Sequence, residues 1–198
     1  MNSIPANRDV KDHILDTAQR IMGSRGFSAV GLNEILTSSG VPKGSFYHYF
    51  GSKEAFGVAL LERYFSLYMT GLNQLLDSNQ GTAVSRLMDY WQRWVDTQAG
   101  TDLQGRCLVV KLGAEVSDLS EDMRQVLEQG TSQLLARLTR EIALAQQEGD
   151  VEPSVDPAEL ADALYQMWLG ASMLAKVTHT GKPLASALAT TSRLLSRT

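Results

Sequence analysis

Between residues 41 and 56 the chain reads Val41-Pro42-Lys43-Gly44-Ser45-Phe46-Tyr47-His48-Tyr49-Phe50-Gly51-Ser52-Lys53-Glu54-Ala55-Phe56. Phe46, Tyr47, Tyr49 and Phe50 crowd around His48, with Lys43 and Lys53 on either side. These residue types suit contact with a nucleic acid. Lysines neutralise phosphates, the small Gly44 and Ser45 permit close backbone approach, and Tyr47, His48 and Tyr49 reach phosphates or base edges. A core helix of some other bundle explains Phe46 and Phe50, which are four apart and turn inward together. It gives no reason for the Lys43-Gly44 start or for Ser52-Lys53-Glu54 opening the next helix.

A second chemistry sits at Cys107, the only cysteine. In Gln104-Gly105-Arg106-Cys107-Leu108 it stands at a helix start. Free N–H groups, the helix dipole and Arg106 favour a thiolate there, and a thiolate reacts with electrophiles and oxidants. The alternative is a small buried hydrophobe, the commoner use of a lone cysteine. With one cysteine an intrachain disulfide is impossible. Adduct formation, sulfenic acid, a bond to a nearby amine and an intermolecular disulfide remain.

The elements that must hold these groups are all helical. Leu32 to Ser38 predicts a short helix ended by Gly40, suited to a left-handed conformation, and Pro42 blocks its continuation. Lys43 opens a second short helix, which completes a helix-turn-helix. Arg8 to Ser24 predicts the helix before them, stopped by Gly26. Ser52 to Leu76 predicts a long helix leaving the head as a lever. Thr82 starts an amphipathic helix carrying Trp91 and Trp94, and 99–105 reads as a loop. A helix from Arg106 to Val116 follows. Asp118 with Glu121 predicts a capped start for a helix to Gln147. Asp156-Pro157-Ala158-Glu159 marks the clearest start in the chain, for a helix to about Thr178. Gly181 and Pro183 break it before a last helix. The fold class is therefore all-α. A helix-turn-helix head over 1–55 precedes a helical sensor and dimerisation domain over 56–198.

Ile21 to Phe56, with Arg25-Gly26-Phe27, Glu34-Ile35, Gly40 to Phe50 and Ser52-Lys53-Glu54, resembles the N-terminal domain of TetR-family transcriptional repressors. The resemblance implies that Lys43, Gly44, Ser45, Tyr47 and His48 face the major groove, and that Tyr49 and Lys53 meet phosphates. It implies a homodimer through 157–178 and 183–197 on palindromic double-stranded operator DNA. The chain departs from the family at Val30-Gly31, where a capping Thr or Ser is usual. Further likeness over 107–116, 118–124 and 168–171 is to electrophile-responsive members that sense through a cysteine matching Cys107, with a lysine matching Lys176. It implies a repressor of detoxification genes, released from DNA when Cys107 is modified. Ser117 stands where such chains can carry another cysteine. Lys176, if near Cys107, lowers the thiol pKa or traps its oxidised form; otherwise it snorkels to solvent.

The alternative within the same class is a repressor induced by a non-covalent aromatic or lipid-like ligand. Trp91, Trp94, Tyr165 and Trp168 are its candidate pocket, or else plain core. A thiol enzyme would need a resolving cysteine or a His/acid partner at motif spacing. The chain shows neither, so no enzyme activity and no cofactor are expected. His13, His48 and His179 are scattered, so no metal site is expected.

Composition agrees. The 198 residues are 43% hydrophobic, enough for a proper core. No apolar run is long enough to span a bilayer and no signal-peptide pattern opens the chain, so a cytoplasmic protein is expected. The net charge of −4 is unevenly shared. Residues 1–55 carry +1 and the remainder −5, so DNA affinity must lean on two half-sites gripped by a dimer.

Overall fold

The computed structural model describes residues 7–78, 80–99 and 107–197. Residues 100–106, which hold most of the expected loop and Arg106, lie outside them. Among the described residues the regular structure is entirely helical: α1 (Asn7–Arg25), α2 (Leu32–Ser39), α3 (Lys43–Phe50), α4 (Lys53–Leu76), α5 (Ala83–Ala99), α6 (Leu108–Leu119), α7 (Glu121–Glu148), α8 (Pro157–Thr178) and α9 (Lys182–Leu194).

Helix ends follow the capping chemistry in the sequence, with two corrections. Asp156 Oδ1 accepts the N–H groups of Ala158 and Glu159 at 2.7 and 3.2 Å, as expected for α8. Asp118, in contrast, lies inside α6. Ser120 ends α6 and caps α7 by accepting the Met123 N–H at 3.3 Å, while the Glu121 carboxylate turns to Arg124 and Gln125. A serine hydroxyl fits an N-cap at least as well as a carboxylate, and the helix continues through Asp118 to use it. The second correction is at the end of α8. His179, at φ 52°, takes the left-handed stop, and Gly181 at φ −79° precedes α9 in an ordinary conformation.

The chain forms two compact units. The first comprises residues 1–66 and 102–128, the second 67–101 and 129–198. The boundary expected at 55/56 divides the chain differently, because the helix bearing Cys107 falls in the unit that contains the head. In the first unit Phe46, Phe50 and Phe56 form an aromatic triangle with centroids 5.0–5.2 Å apart. Ile14, Ala18, Met22 and Ile35 lie fully buried in the same unit.

The second unit has an aromatic core and a buried charge network. Trp91 stacks on Trp168 at 4.9 Å with planes 9° apart. Trp94 Nε1 donates to Ser172 Oγ and Trp168 Nε1 to Thr191 Oγ1, both at 2.9 Å. Glu141, 2% exposed, accepts from two buried guanidiniums, Arg86 at Oε1 and Arg137 at Oε2, each at 2.8 Å. Arg137 also reaches Asp77 at the end of α4, and Arg86 reaches the Gly81 carbonyl. Glu141→Gln leaves two buried cations facing a neutral amide. The expected cost is about 3–5 kcal/mol, read as a lower urea midpoint with an unchanged denaturant slope. A loss near zero would mean that water already reaches the pair.

Candidate functional site

The helix-turn-helix is built by backbone constraints at its turn. Gly40, at φ 65°, stops α2 in a conformation that disfavours a side chain, and the Val41 N–H reaches back to Leu36 O at 3.2 Å. Pro42 caps α3 in extended geometry, its carbonyl accepting the Ser45 N–H at 3.0 Å. Gly31 caps α2 without any side-chain hydrogen bond, so no hydroxyl is presented there.

Burying Phe46 and Phe50 turns the rest of α3 outward. Lys43, Gly44, Tyr47 and His48 form one exposed strip, with Ser45 and Tyr49 half-buried at its side. Lys43 Nζ lies 6.0 Å from the Tyr47 ring. A Cβ on Gly44 would meet nothing within 4 Å. The protein's own packing therefore does not require glycine there.

Lys53 behaves differently from expectation. Its ammonium donates to the carbonyls of Phe27 and Val30, at 3.1 and 2.9 Å, and sits 4.9 Å from the Phe27 ring centre. Part of its donor capacity is thus taken up inside the head, where it braces the turn between α1 and α2. Ser52 caps α4 through the Ala55 N–H at 3.0 Å.

Cys107 caps α6 and is buried, 5% exposed. Burial pushes its thiol pKa up. The nearby Val110 N–H, Tyr64 hydroxyl and Val109 N–H pull it down without overcoming burial, and the sulfur makes no capping hydrogen bond to the helix. The helix start lies beside the sulfur, but desolvation outweighs its pull and favours the neutral thiol. Lys176 is exposed near the end of α8 and belongs to the second unit, whereas Cys107 belongs to the first.

Trp91, Trp94, Tyr165 and Trp168 come together as one cluster. All four are buried, and they pack on one another as core. The Trp91 indole N–H has no protein acceptor. Among the described residues no cluster of His, Cys, Asp or Glu could hold a metal, and no helix is long and apolar enough to cross a membrane.

Two residues were missed by sequence reasoning. Tyr64 reads as one more apolar position of α4. Glu115 reads as a solvated charge on α6, yet both its oxygens engage the backbone at Phe27 and Ser28. Local spacing carries no signal of partners 43 or 87 positions away.

Two family models match the chain. Residues 14–60 match bacterial regulatory proteins of the tetR family, and residues 83–191 match a tetracyclin repressor-like C-terminal domain. The HTH-type transcriptional repressor NemR of Escherichia coli K12 is 41% identical over 181 residues, which is 91% of each chain. The HTH-type transcriptional repressor DhaR of Mycobacterium sp. is 31% identical over 90% of this chain and 88% of its own. The crystal structure of the reduced form of E. coli NemR superposes with a TM-score of 0.89 at 40% identity, covering 95% of this chain and 97% of that one. A putative regulator of the TetR/AcrR family superposes with a TM-score of 0.83 at 47% identity, covering 94% and 99%.

The burial of Cys107 has a measurable consequence. A thiol pKa held above its ordinary value makes alkylation by iodoacetamide slower in the folded protein than in urea at neutral pH. The native rate is expected to climb about tenfold per pH unit up to roughly pH 9. A plateau between about pH 6 and 8 would instead reveal a stabilised thiolate.

Proposed function

The chain belongs to the tetR family of bacterial regulatory proteins, and from that premise we propose that it is a transcriptional repressor of electrophile- and oxidant-detoxification genes, released from its operator when Cys107 is modified. Operator recognition is assigned to Lys43, Gly44, Ser45, Tyr47 and His48 of α3, with Tyr49 and the first turn of α4 at the phosphates. The observation that carries this assignment is the outward strip of α3, exposed where its two phenylalanines are buried. The open space around Gly44 supports it, because the small residue is explained by close approach of a partner and not by packing.

A homodimer through α8 and α9 presents two such strips to two half-sites of a palindrome. Met173, Leu174 and Val177 of α8 and Leu194 of α9 are exposed apolar residues on the two helices assigned to that dimer.

For sensing, the support is the setting of Cys107 and the likeness to a repressor whose structure was solved as a reduced form. Tyr64 and the N–H groups of Val109 and Val110 lie near the sulfur and favour its anion as the proton leaves. With an electron-poor alkene, the sulfur forms a bond to the β-carbon, the C=C π bond breaks, and a solvent proton adds at the α-carbon. The adduct occupies volume that the packed unit lacks, so α6 repacks and the heads leave their operator spacing. A coupling of about 1–3 kcal/mol weakens binding about five- to 150-fold.

The first test is binding to DNA from just upstream of the protein's own gene, with and without N-ethylmaleimide. Wild type is expected to bind and to be released, and Cys107→Ser to bind and stay bound. Equal release of both would move sensing to a non-covalent ligand in the second unit.

A second test separates the DNA face from the fold. Gly44→Ala is expected to keep thermal stability, or to raise it by up to about 1 kcal/mol, while operator affinity falls about tenfold or more. Unchanged affinity would remove Gly44 from the interface.

A further inference from the structure

The turn between α1 and α2 leaves backbone groups that neither helix can satisfy, and two other elements of the same unit take them up. Gly26, at φ 99°, turns the chain so that the Phe27 and Ser28 N–H groups converge. Both oxygens of one carboxylate meet them: Glu115 Oε2 accepts from Phe27 at 3.0 Å and Oε1 from Ser28 at 2.6 Å. Lys53 holds the carbonyls of Phe27 and Val30. The peptide groups of Phe27 are thus gripped on the donor side by α6 and on the acceptor side by α4. A Cβ at position 26 would come within 3.0 Å of Glu115 Oε2, so glycine also keeps the seat open.

Glu115 lies on the helix that Cys107 caps, eight residues on, or about 12 Å along the axis. Leu108, Leu112 and Val116 bury another face of that helix, which runs unbroken between the two residues. A rigid helix displaced at its start carries its later residues with it. Burial opposes ionisation of Glu115. The Ser28 hydroxyl, the N–H groups of Ser28 and Phe27 and the charge of Lys111 outweigh it and hold the pKa below the usual carboxylate value.

We infer that Glu115 is a positioning residue that couples the Cys107 helix to the DNA-binding head by holding the α1–α2 turn. Displacing α6 withdraws the carboxylate, frees the amides of Phe27 and Ser28, and loosens the seat of α2 and of the recognition helix that follows it. This deepens the repressor reading and rests on it for its effect on DNA, while the contact itself is readable without DNA.

The experiment compares wild type, Glu115→Gln and Glu115→Asp before and after alkylation of Cys107 by N-ethylmaleimide. Amide hydrogen exchange at Phe27 and Ser28 is one readout and operator affinity the other. Gln removes the charge, which simple electrostatics would turn into tighter DNA binding. Asp keeps the charge but is one methylene too short to reach both amides. Alkylation is expected to speed exchange at Phe27 and Ser28 in wild type about tenfold or more. Both variants are expected to show fast exchange beforehand, weaker operator binding, and little further change on alkylation. A purely structural role would lower stability yet leave the ratio of affinities before and after alkylation intact, and that result overturns the inference. Unchanged exchange at Phe27 and Ser28 in alkylated wild type overturns it as well. If the protein binds no operator at all, the exchange readout still decides the coupling, so failure of the repressor reading stays distinguishable.

Discussion

A turn between two helices leaves several N–H and C=O groups without intrahelical partners, and those that packing covers must find partners in the protein. In this protein that constraint falls on Gly26 to Gly31. The solution is polar and long-range: a carboxylate from α6 on the donors and an ammonium from α4 on the acceptors. Much else in the first unit follows from it. Gly26 must be glycine both for its φ of 99° and for the space beside the carboxylate. Gly57 must be small because a Cβ there would come within 3.0 Å of the Phe27 ring and Met123 Sδ. Lys53 is drawn inward, although at the start of α4 a phosphate contact is expected of it.

The second unit meets its constraints by other means. Its core is a stack of tryptophans whose two paired N–H groups end on hydroxyls, and its charges are buried as a group around Glu141. Breaking such a network is costly because it strands a charge, whereas its net contribution against an apolar core is small. Its value is specificity of arrangement. Arg137 ties Asn73 of α4 and Asp77 just after it to Glu141 of α7, and Arg86 ties the start of α5 to the same carboxylate. The end of α4, the start of α5 and the middle of the C-terminal half of α7 are thereby tied together.

Local chemistry made the helices and the recognition strip legible. Gly40, Pro42, Ser52 and Asp156 each act through neighbours within four residues, and the structure uses them as the sequence suggests. The errors are local competitions. At the α6–α7 junction Asp118 and Ser120 both qualify as a cap, and the sequence does not say which wins. At the end of α8 both His179 and Gly181 can stop a helix. What the sequence could not show is partnership at a distance. Glu115 looks like a solvated charge and Lys53 like a phosphate contact, and only the fold brings them onto one peptide. Cys107 shows the same limit from the other side. Its helix-start position was visible, but the balance between the N-terminal donors and burial depends on how much of the unit closes over the sulfur.

That balance bears on how a buried thiol serves as a sensor. A thiolate exposed at a helix start would react with every passing oxidant and would have little to report, because modifying an exposed sulfur displaces nothing. Cys107 is neutral and enclosed at rest, so its intrinsic reactivity is low, but each reaction must find room inside a packed unit. Native interiors lack voids larger than about a water molecule, and adding even one methylene group is felt. On the proposed reading an adduct of several atoms would therefore be converted into displacement of α6. The Tyr64 hydroxyl and the two backbone N–H groups offset part of the cost of forming the anion in that enclosure. Slow reaction and large displacement are thus two results of one feature, and a repressor gains from both. On the proposed reading, low-level exposure would leave it on its operator, and a modification that does occur would have to move the helix that carries Glu115.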